Sequence, residues 1–315
     1  MPQVETPIEK WTGKIKEVKL GAGGRKEVVV GGQTTLPFLT FEGAVPNPPR
    51  VAMEVQDKEP TGWAQALASA WGGALKDPAT WAKKAVEFGA DIIVLRLASA
   101  HPEAGNTGPA EAKATVTKVL AAVDRPLIVL GPGVAAKDNE VLTAVSEAAR
   151  GQRIGIGNCE EKNYRTIAAV CISDGHVAIA KTPLDINLCK QLNIMLSDIG
   201  VPLESIIMDP DTGALGYGLE YAYSIRERVR LAALGGDAMT ALPIICHAGA
   251  EAWRQKEAKA TEGVPPGWGS SAERGILWEE ITAVALINAG SDIVSMYHPK
   301  SVERIKATIA KLMGK

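Results

Sequence analysis

The chain has few cysteines. Cys159, Cys171, Cys189 and Cys246 are the only four among 315 residues, and no two stand as a C-x-x-C pair. This spacing carries no zinc or iron–sulfur signature and points to reduced, buried thiols. No apolar run approaches the ~20 residues of a membrane span. The opening MPQVETPIEKW has no basic-then-apolar signal pattern, so a cytoplasmic protein is expected. Neither sign of charge dominates: 34 Lys and Arg face 36 Asp and Glu, a formal net charge of −2 that offers no field to nucleic acid or an anionic membrane. There is no low-complexity tail.

What is present is a rhythm. Short β-branched runs recur at 51–57 (VAMEVQD), 91–97 (DIIVLRL), 126–131 (PLIVLG), 153–158 (RIGIGN), 176–182 (HVAIAKT), 205–211 (SIIMDPD), 242–249 (LPIICHAG) and 292–299 (DIVSMYHP). Ala-rich helical patterns separate them. Eight buried parallel strands, each followed by a helix, predict an α/β fold of the (β/α)8 TIM-barrel type. A chain of this length hides roughly three quarters of its unfolded surface, enough for such a core. Residues 12–41 stand outside the rhythm: KIKEVKL, GAGG and RKEVVVGG read as a β-hairpin with a Gly-rich turn. Residues 1–50 are therefore assigned to an N-terminal hairpin extension and lead-in, covering the N-terminal end of a barrel formed by 51–315.

Helix signals fit this scheme. Asp77-Pro78 opens a helix that stops at Gly89, Asp138 opens one ending near Gly151, and Thr182-Pro183 opens 183–199 before Gly200. Further helices are expected at 218–234, 271–289 and 299–313, with an additional one in 62–75. The 250–270 segment, a polar helix (EAWRQKEAKA) followed by GVPPGWGS, is long for a βα connection, and long insertions at that face are commonly functional.

In such barrels chemistry sits where the strands end. Those ends carry Asp57, Asn158, Lys181, Asp209, Asp211, His247 and His298. The densest cluster is MDPDTGALGYGLEY (208–221). There Asp209, Asp211 and Thr212 precede Gly213, Gly216, Tyr217 and Gly218, letting backbone approach a flat ligand ahead of a helix N-terminus. A capped, Gly-rich loop would look the same. Asn158 offers both donor and acceptor to a heterocycle edge, or simply sits in a turn. Lys181 could form a Schiff base, but an ion pair with a neighbouring acid such as Asp209 is the commoner arrangement. His247, with His101 and His298 near the same rim, suits hydrogen bonding or packing better than metal binding, because the paired early-strand ligands of barrel metallohydrolases are missing. GAGG (21–24) lies between strands and is no dinucleotide loop, while GPG (131–133) is a weak phosphate-loop match. Trp63, Trp71, Trp253 and Trp268 are candidates for a partner surface, with core packing as the competing role.

Several segments together resemble the small subunit of the corrinoid iron–sulfur protein: NYRTIAAV (163–170), DINLCKQLNIML (185–196), MDPDTGALGYGLEYAYS (208–224) and HAGAEAWRQKEA (247–258). The resemblance runs through essentially the whole chain. It implies a barrel paired in a heterodimer with a large subunit that holds the [4Fe-4S] cluster, and a corrinoid (cobalamin) at the subunit interface. The pair would carry a methyl group from methyltetrahydrofolate, by way of a separate methyltransferase, to acetyl-CoA synthase in the reductive acetyl-CoA pathway of anaerobes. Corrinoid domains often carry D-x-H-x-x-G; Asp174-Gly-His176-Val-Ala-Ile179 lacks the glycine and enters a strand rather than leaving one. With no Cys cluster either, both cofactors are expected to be held chiefly elsewhere, and no catalytic residue or metal ligand is assigned to this chain. The residues expected to face the corrinoid are Asn158, Lys181, Asp209, Thr212, Gly213, Gly216, Tyr217 and His247. Two other readings compete. One is a pterin-dependent methyltransferase of the same fold that binds methyltetrahydrofolate directly; the other is a Lys181-dependent aldolase.

Overall fold

The computed structural model describes residues 5–314. A short antiparallel hairpin, β1 (Val18–Leu20) and β2 (Val28–Val30), precedes eight parallel strands. These are β3 (Arg50–Gln56), β4 (Ile92–Arg96), β5 (Leu127–Leu130), β6 (Gly155–Cys159), β7 (Val177–Lys181), β8 (Ile206–Asp209), β9 (Ile245–Cys246) and β10 (Ile293–Met296). They pair in the order β8-β7-β6-β5-β4-β3-β10-β9. A parallel bridge between Met208 and Ile244, with the Met208 N–H donating to the Pro243 carbonyl at 2.8 Å, joins β8 to β9 and closes the ring. All eight strands fall on the β-branched runs of the sequence.

Strand periodicity sorts side chains onto two faces. Ala52, Ile92, Val94, Ile128, Leu130, Val177, Ile179, Ile207, Ile245 and Ile293 form one buried cluster inside the ring. The alternate residues, among them Met53, Ile93, Leu95, Val129, Ile156 and Met208, join a second cluster with the helices. Gly157 occupies an inward position where a Cβ would come within 2.9 Å of Leu130 and Ile179, so neighbouring strands fill the space instead.

The hairpin closes the N-terminal end as expected. Val18, Leu20, Val28 and Val30 belong to the interior cluster. Backbone N–H groups of Lys16, Gly21 and Lys26 donate to the carbonyls of Ala241, Arg153 and Asp124, each in the segment leading into a barrel strand. The Arg25 guanidinium reaches the Val123 carbonyl at 2.6 Å, fixing the turn against the end of a barrel helix.

The helices are α1 (Gln65–Trp71), α2 (Pro78–Glu87), α3 (Pro109–Ala122), α4 (Ala135–Ala148), α5 (Tyr164–Asp174), α6 (Ile186–Ile199), α7 (Leu219–Leu234), α8 (Ala248–Arg254), α9 (Lys256–Lys259), α10 (Ser271–Asn288) and α11 (Pro299–Leu312). Asp77 caps α2 by accepting from the Thr80 N–H, as its sequence signal predicts. Two starts differ from expectation. Asp138 does not open α4, which begins at Ala135; its buried carboxylate turns back to accept from the Gly133 N–H at 3.0 Å. Thr182-Pro183 does not open α6; Asp185 caps it by accepting from Asn187 and Leu188. In the long insertion the polar helix is split into α8 and α9, because Gln255 is extended. No helix among the described residues is long and apolar enough to cross a membrane.

Candidate functional site at the barrel mouth

One step beyond the apolar interior, the inward positions become polar. Following strand parity, Glu54, Arg96, Lys181, Asp209, His247 and Tyr297 stand two or more residues past Ala52, Val94, Ile179, Ile207, Ile245 and Ile293. Glu54, fully buried, takes a bidentate grip from Arg96, with Nε to Oε1 at 2.7 Å and Nη2 to Oε2 at 2.9 Å. The Tyr297 hydroxyl donates to the same carboxylate at 2.9 Å. Burial would raise the Glu54 pKa, but the Arg96 cation more than offsets it and holds the carboxyl below its usual range. Trp63 packs over the Tyr297 ring, centroids 4.9 Å apart. Sequence reading missed Glu54, Arg96 and Tyr297. The available signal was a charged residue of inward parity within each of two apolar strands.

Asp209 and His247 meet at the ends of the adjoining strands β8 and β9. His247 Nε2 lies 3.3 Å from Asp209 Oδ2. Asp209 Oδ1 and His247 Nδ1 are buried without hydrogen-bond partners among the described residues. Burial opposes ionisation of Asp209, yet the positive surroundings of His247, Lys181 and Arg226 hold its pKa below the ordinary value. Lys181 pairs in register with Asp209 across β7 and β8. The expected ion pair between them is not made: among the described residues no carboxylate lies within 4.0 Å of the Lys181 ammonium. Asp209 turns to His247 instead.

Of the other site residues expected from sequence, Asn158 is buried at the end of β6, where its carbonyl accepts from the Asn163 side chain at 2.9 Å. The Thr212 hydroxyl accepts from the His247 N–H at 3.0 Å and so ties the β8–α7 loop to the end of β9. Gly213 and Gly216 shape that loop. Tyr217 stands outward, 48% exposed, and its hydroxyl donates to Glu257 in the inserted segment. The structure thus brings Lys181, Asp209 and His247 together at the mouth, places Asn158 and Thr212 at its wall, and sets Tyr217 on the rim.

Other candidates have structural duties. His298 caps α11 by accepting from the Lys300 N–H, and stacks on Trp253. His101 accepts from the Glu103 N–H. His176 is buried, its ring bonded to the Ser146 carbonyl at 3.0 Å. The GPG turn already holds an anion of its own: Asp138 takes the Gly133 N–H, and a Cβ on Gly131 would overlap its carboxylate. Trp71 and Trp253 belong to the core, whereas Trp268 is 46% exposed. All four cysteines are free and buried. Among the described residues no three His, Cys, Asp or Glu side chains are placed to hold a metal ion.

Fold and site together define a closed (β/α)8 barrel whose mouth is lined with polar and charged side chains. The chain belongs to the CO dehydrogenase/acetyl-CoA synthase delta subunit family, which residues 17–306 match. It is 39% identical to the acetyl-CoA decarbonylase/synthase complex subunit delta of Archaeoglobus fulgidus, over 98% of this chain and 70% of that one. It is likewise 39% identical to subunit delta 1 of Methanosarcina thermophila, over 98% and 72%. The subunit delta of Methanothermobacter thermautotrophicus is 36% identical, over 95% and 76%. The family resemblance drawn from the sequence is borne out. Among solved structures, a dihydropteroate synthase from Coxiella burnetii in complex with pteroic acid superposes with a TM-score of 0.60 at 11% identity, covering 95% of this chain and all of that one. The Thermus thermophilus dihydropteroate synthase gives a TM-score of 0.54 at 15% identity, covering 88% and 99%. At such identities the likeness is one of fold.

Proposed function

We propose that this chain is the small subunit of a heterodimeric corrinoid iron–sulfur methyl carrier, and that its barrel mouth encloses one face of the corrinoid. Membership of the delta-subunit family over residues 17–306 carries this reading. The donor set at the mouth fits the group. A corrin is fringed with neutral carboxamides, which want both donors and acceptors. Among the described residues, Asp209 Oδ1 and His247 Nδ1 are buried without hydrogen-bond partners, and no carboxylate forms an ion pair with the Lys181 ammonium. When bound, the corrinoid supplies the cobalt that takes up and passes on the methyl group, between a methyltetrahydrofolate methyltransferase and acetyl-CoA synthase. This chain's residues bind, orient and exclude water; they perform no bond-making step. The [4Fe-4S] cluster belongs to the large subunit in this reading, since the four cysteines here are separately buried.

The β8–α7 loop supplies the test. In the assembled pair, Tyr217→Ala and Thr212→Ala should each shift the corrinoid absorption spectrum or slow methyl transfer. No change in either quantity would remove this loop from the site. One observation favours a second reading: a buried, ionised Asp209 could take the donor edge of a pterin, on a fold shared with a pteroic-acid-bound synthase. Saturable binding of methyltetrahydrofolate by the isolated chain would support that reading; its absence would leave the carrier reading in place.

A further inference from the structure

A cleft of about 360 Å³ opens beside the mouth, between the turn after β6 and the helix α6. We propose that it is the subsite for the carboxamide arms along one edge of the corrinoid, an inference that rests on the carrier reading above. Three observations converge on it.

First, the cleft is continuous with the mouth. Lys181, an inward residue of the ring, also lines the cleft, and so does Asp211, two residues past Asp209. Secondly, one wall is apolar and exposed at its first residue. Leu188, Leu192 and Met195 follow one another at helical spacing along α6 and face the cleft, and Leu188 is 38% exposed. An apolar helix face turned to an open cleft suits the methyl and methylene edge of a ligand. Thirdly, the polar rim is uncommitted. Glu160, Asp211 and Lys181 line the cleft, yet none of these side chains forms an ion pair among the described residues.

The balance of charge selects the chemistry. The rim carries three carboxylates (Glu160, Glu161, Asp211) and two lysines (Lys162, Lys181), so an anionic group would meet an excess of like charge. A neutral carboxamide instead donates its N–H groups to Glu160 or Asp211 and accepts from Lys181 through its oxygen. The volume, near the lower end for ligand pockets, accommodates side arms and leaves the macrocycle over the mouth.

The test is a visible-absorption titration of the complete complex, this chain together with its partner subunit, with dicyanocobinamide. A second titration uses a cobinamide in which one propionamide is hydrolysed to the acid. Leu188→Trp fills the cleft from an exposed position and should weaken cobinamide binding about tenfold. The mono-acid should bind wild type about tenfold more weakly than the amide, and Glu160→Gln should recover part of that loss. If Leu188→Trp binds like wild type and the amide and acid are not distinguished, the cleft proposal fails while a corrinoid-bearing complex still upholds the carrier reading. A complex that takes up no cobinamide overturns both.

Discussion

Glu54 shows how the mouth is stabilised one residue at a time. A carboxylate with no exposure is tolerated because Arg96 grips both oxygens and Tyr297 donates to one of them. Removing one partner of such a pair strands the other charge, which costs about 3 kcal/mol or more. In the wild type the Glu54 pKa lies below its ordinary 4.5, so the stabilisation is complete above that pH and is lost as pH falls through the lowered value. In Arg96→Met the burial, the largest influence on this carboxyl, faces only the weaker pull of His247 and the Tyr297 hydrogen bond and pushes the pKa above 4.5, so the deficit grows as pH rises. Urea unfolding should therefore show a small loss at about pH 4.5 and a loss of about 3 kcal/mol at about pH 8; equal losses at both would contradict this account.

Glu279 is the converse case. It is buried in α10 with no ion-pair partner among the described residues, accepting N–H bonds from Tyr297, His298 and Trp253, and burial pushes its pKa up to about 7. An acid whose pKa is raised on folding destabilises the fold as pH climbs from its ordinary 4.5 to about 7. Relative to wild type, Glu279→Gln should gain roughly 3 kcal/mol between about pH 4.5 and pH 8, read from the difference in unfolding free energy. A difference independent of pH would show that this carboxyl does not titrate in that range.

Among the elements, the β8–α7 loop ties the mouth to its surroundings. The Gly218 backbone, with φ of 102°, starts α7, and a Cβ on Gly213 would overlap the Gly218 carbonyl. Gly213→Ala should therefore cost roughly 1–3 kcal/mol and lower the midpoint of thermal unfolding; an unchanged midpoint would mean that the loop moves freely. This loop was legible in the sequence because its glycines and acids are contiguous, and the eight strands because β-branched runs are local signals. What lay beyond the sequence was long-range. Glu54 and Arg96 read as interruptions of apolar strands, and only closure of the ring shows that their parity faces inward. Asp138 has the chemistry of a helix cap, but the GPG backbone competes for its carboxylate and wins. Lys181 has Asp209 as its register neighbour, but β9 brings His247 to that acid from a distant part of the chain.

At the scale of the whole molecule, the two ends of the barrel are built differently. The N-terminal end is sealed by hairpin side chains that join the interior cluster, Leu20 among them with no exposure. Leu20→Ala should cost roughly 2–5 kcal/mol and leave the mouth's ligand affinity unchanged, as read by urea unfolding and a binding titration on the folded protein. A weakened site at full stability would instead tie the seal to function. At the C-terminal end, Asp209 Oδ1 and His247 Nδ1 are among the buried polar atoms left without a hydrogen-bond partner among the described residues. A ligand and a partner subunit at the mouth would account for them. The most direct measurement is an affinity pull-down of the tagged chain from its native anaerobic extract, followed by an ultraviolet–visible spectrum. A second, larger polypeptide with corrinoid and iron–sulfur absorption is the predicted result. A colourless single polypeptide would contradict the carrier-subunit account.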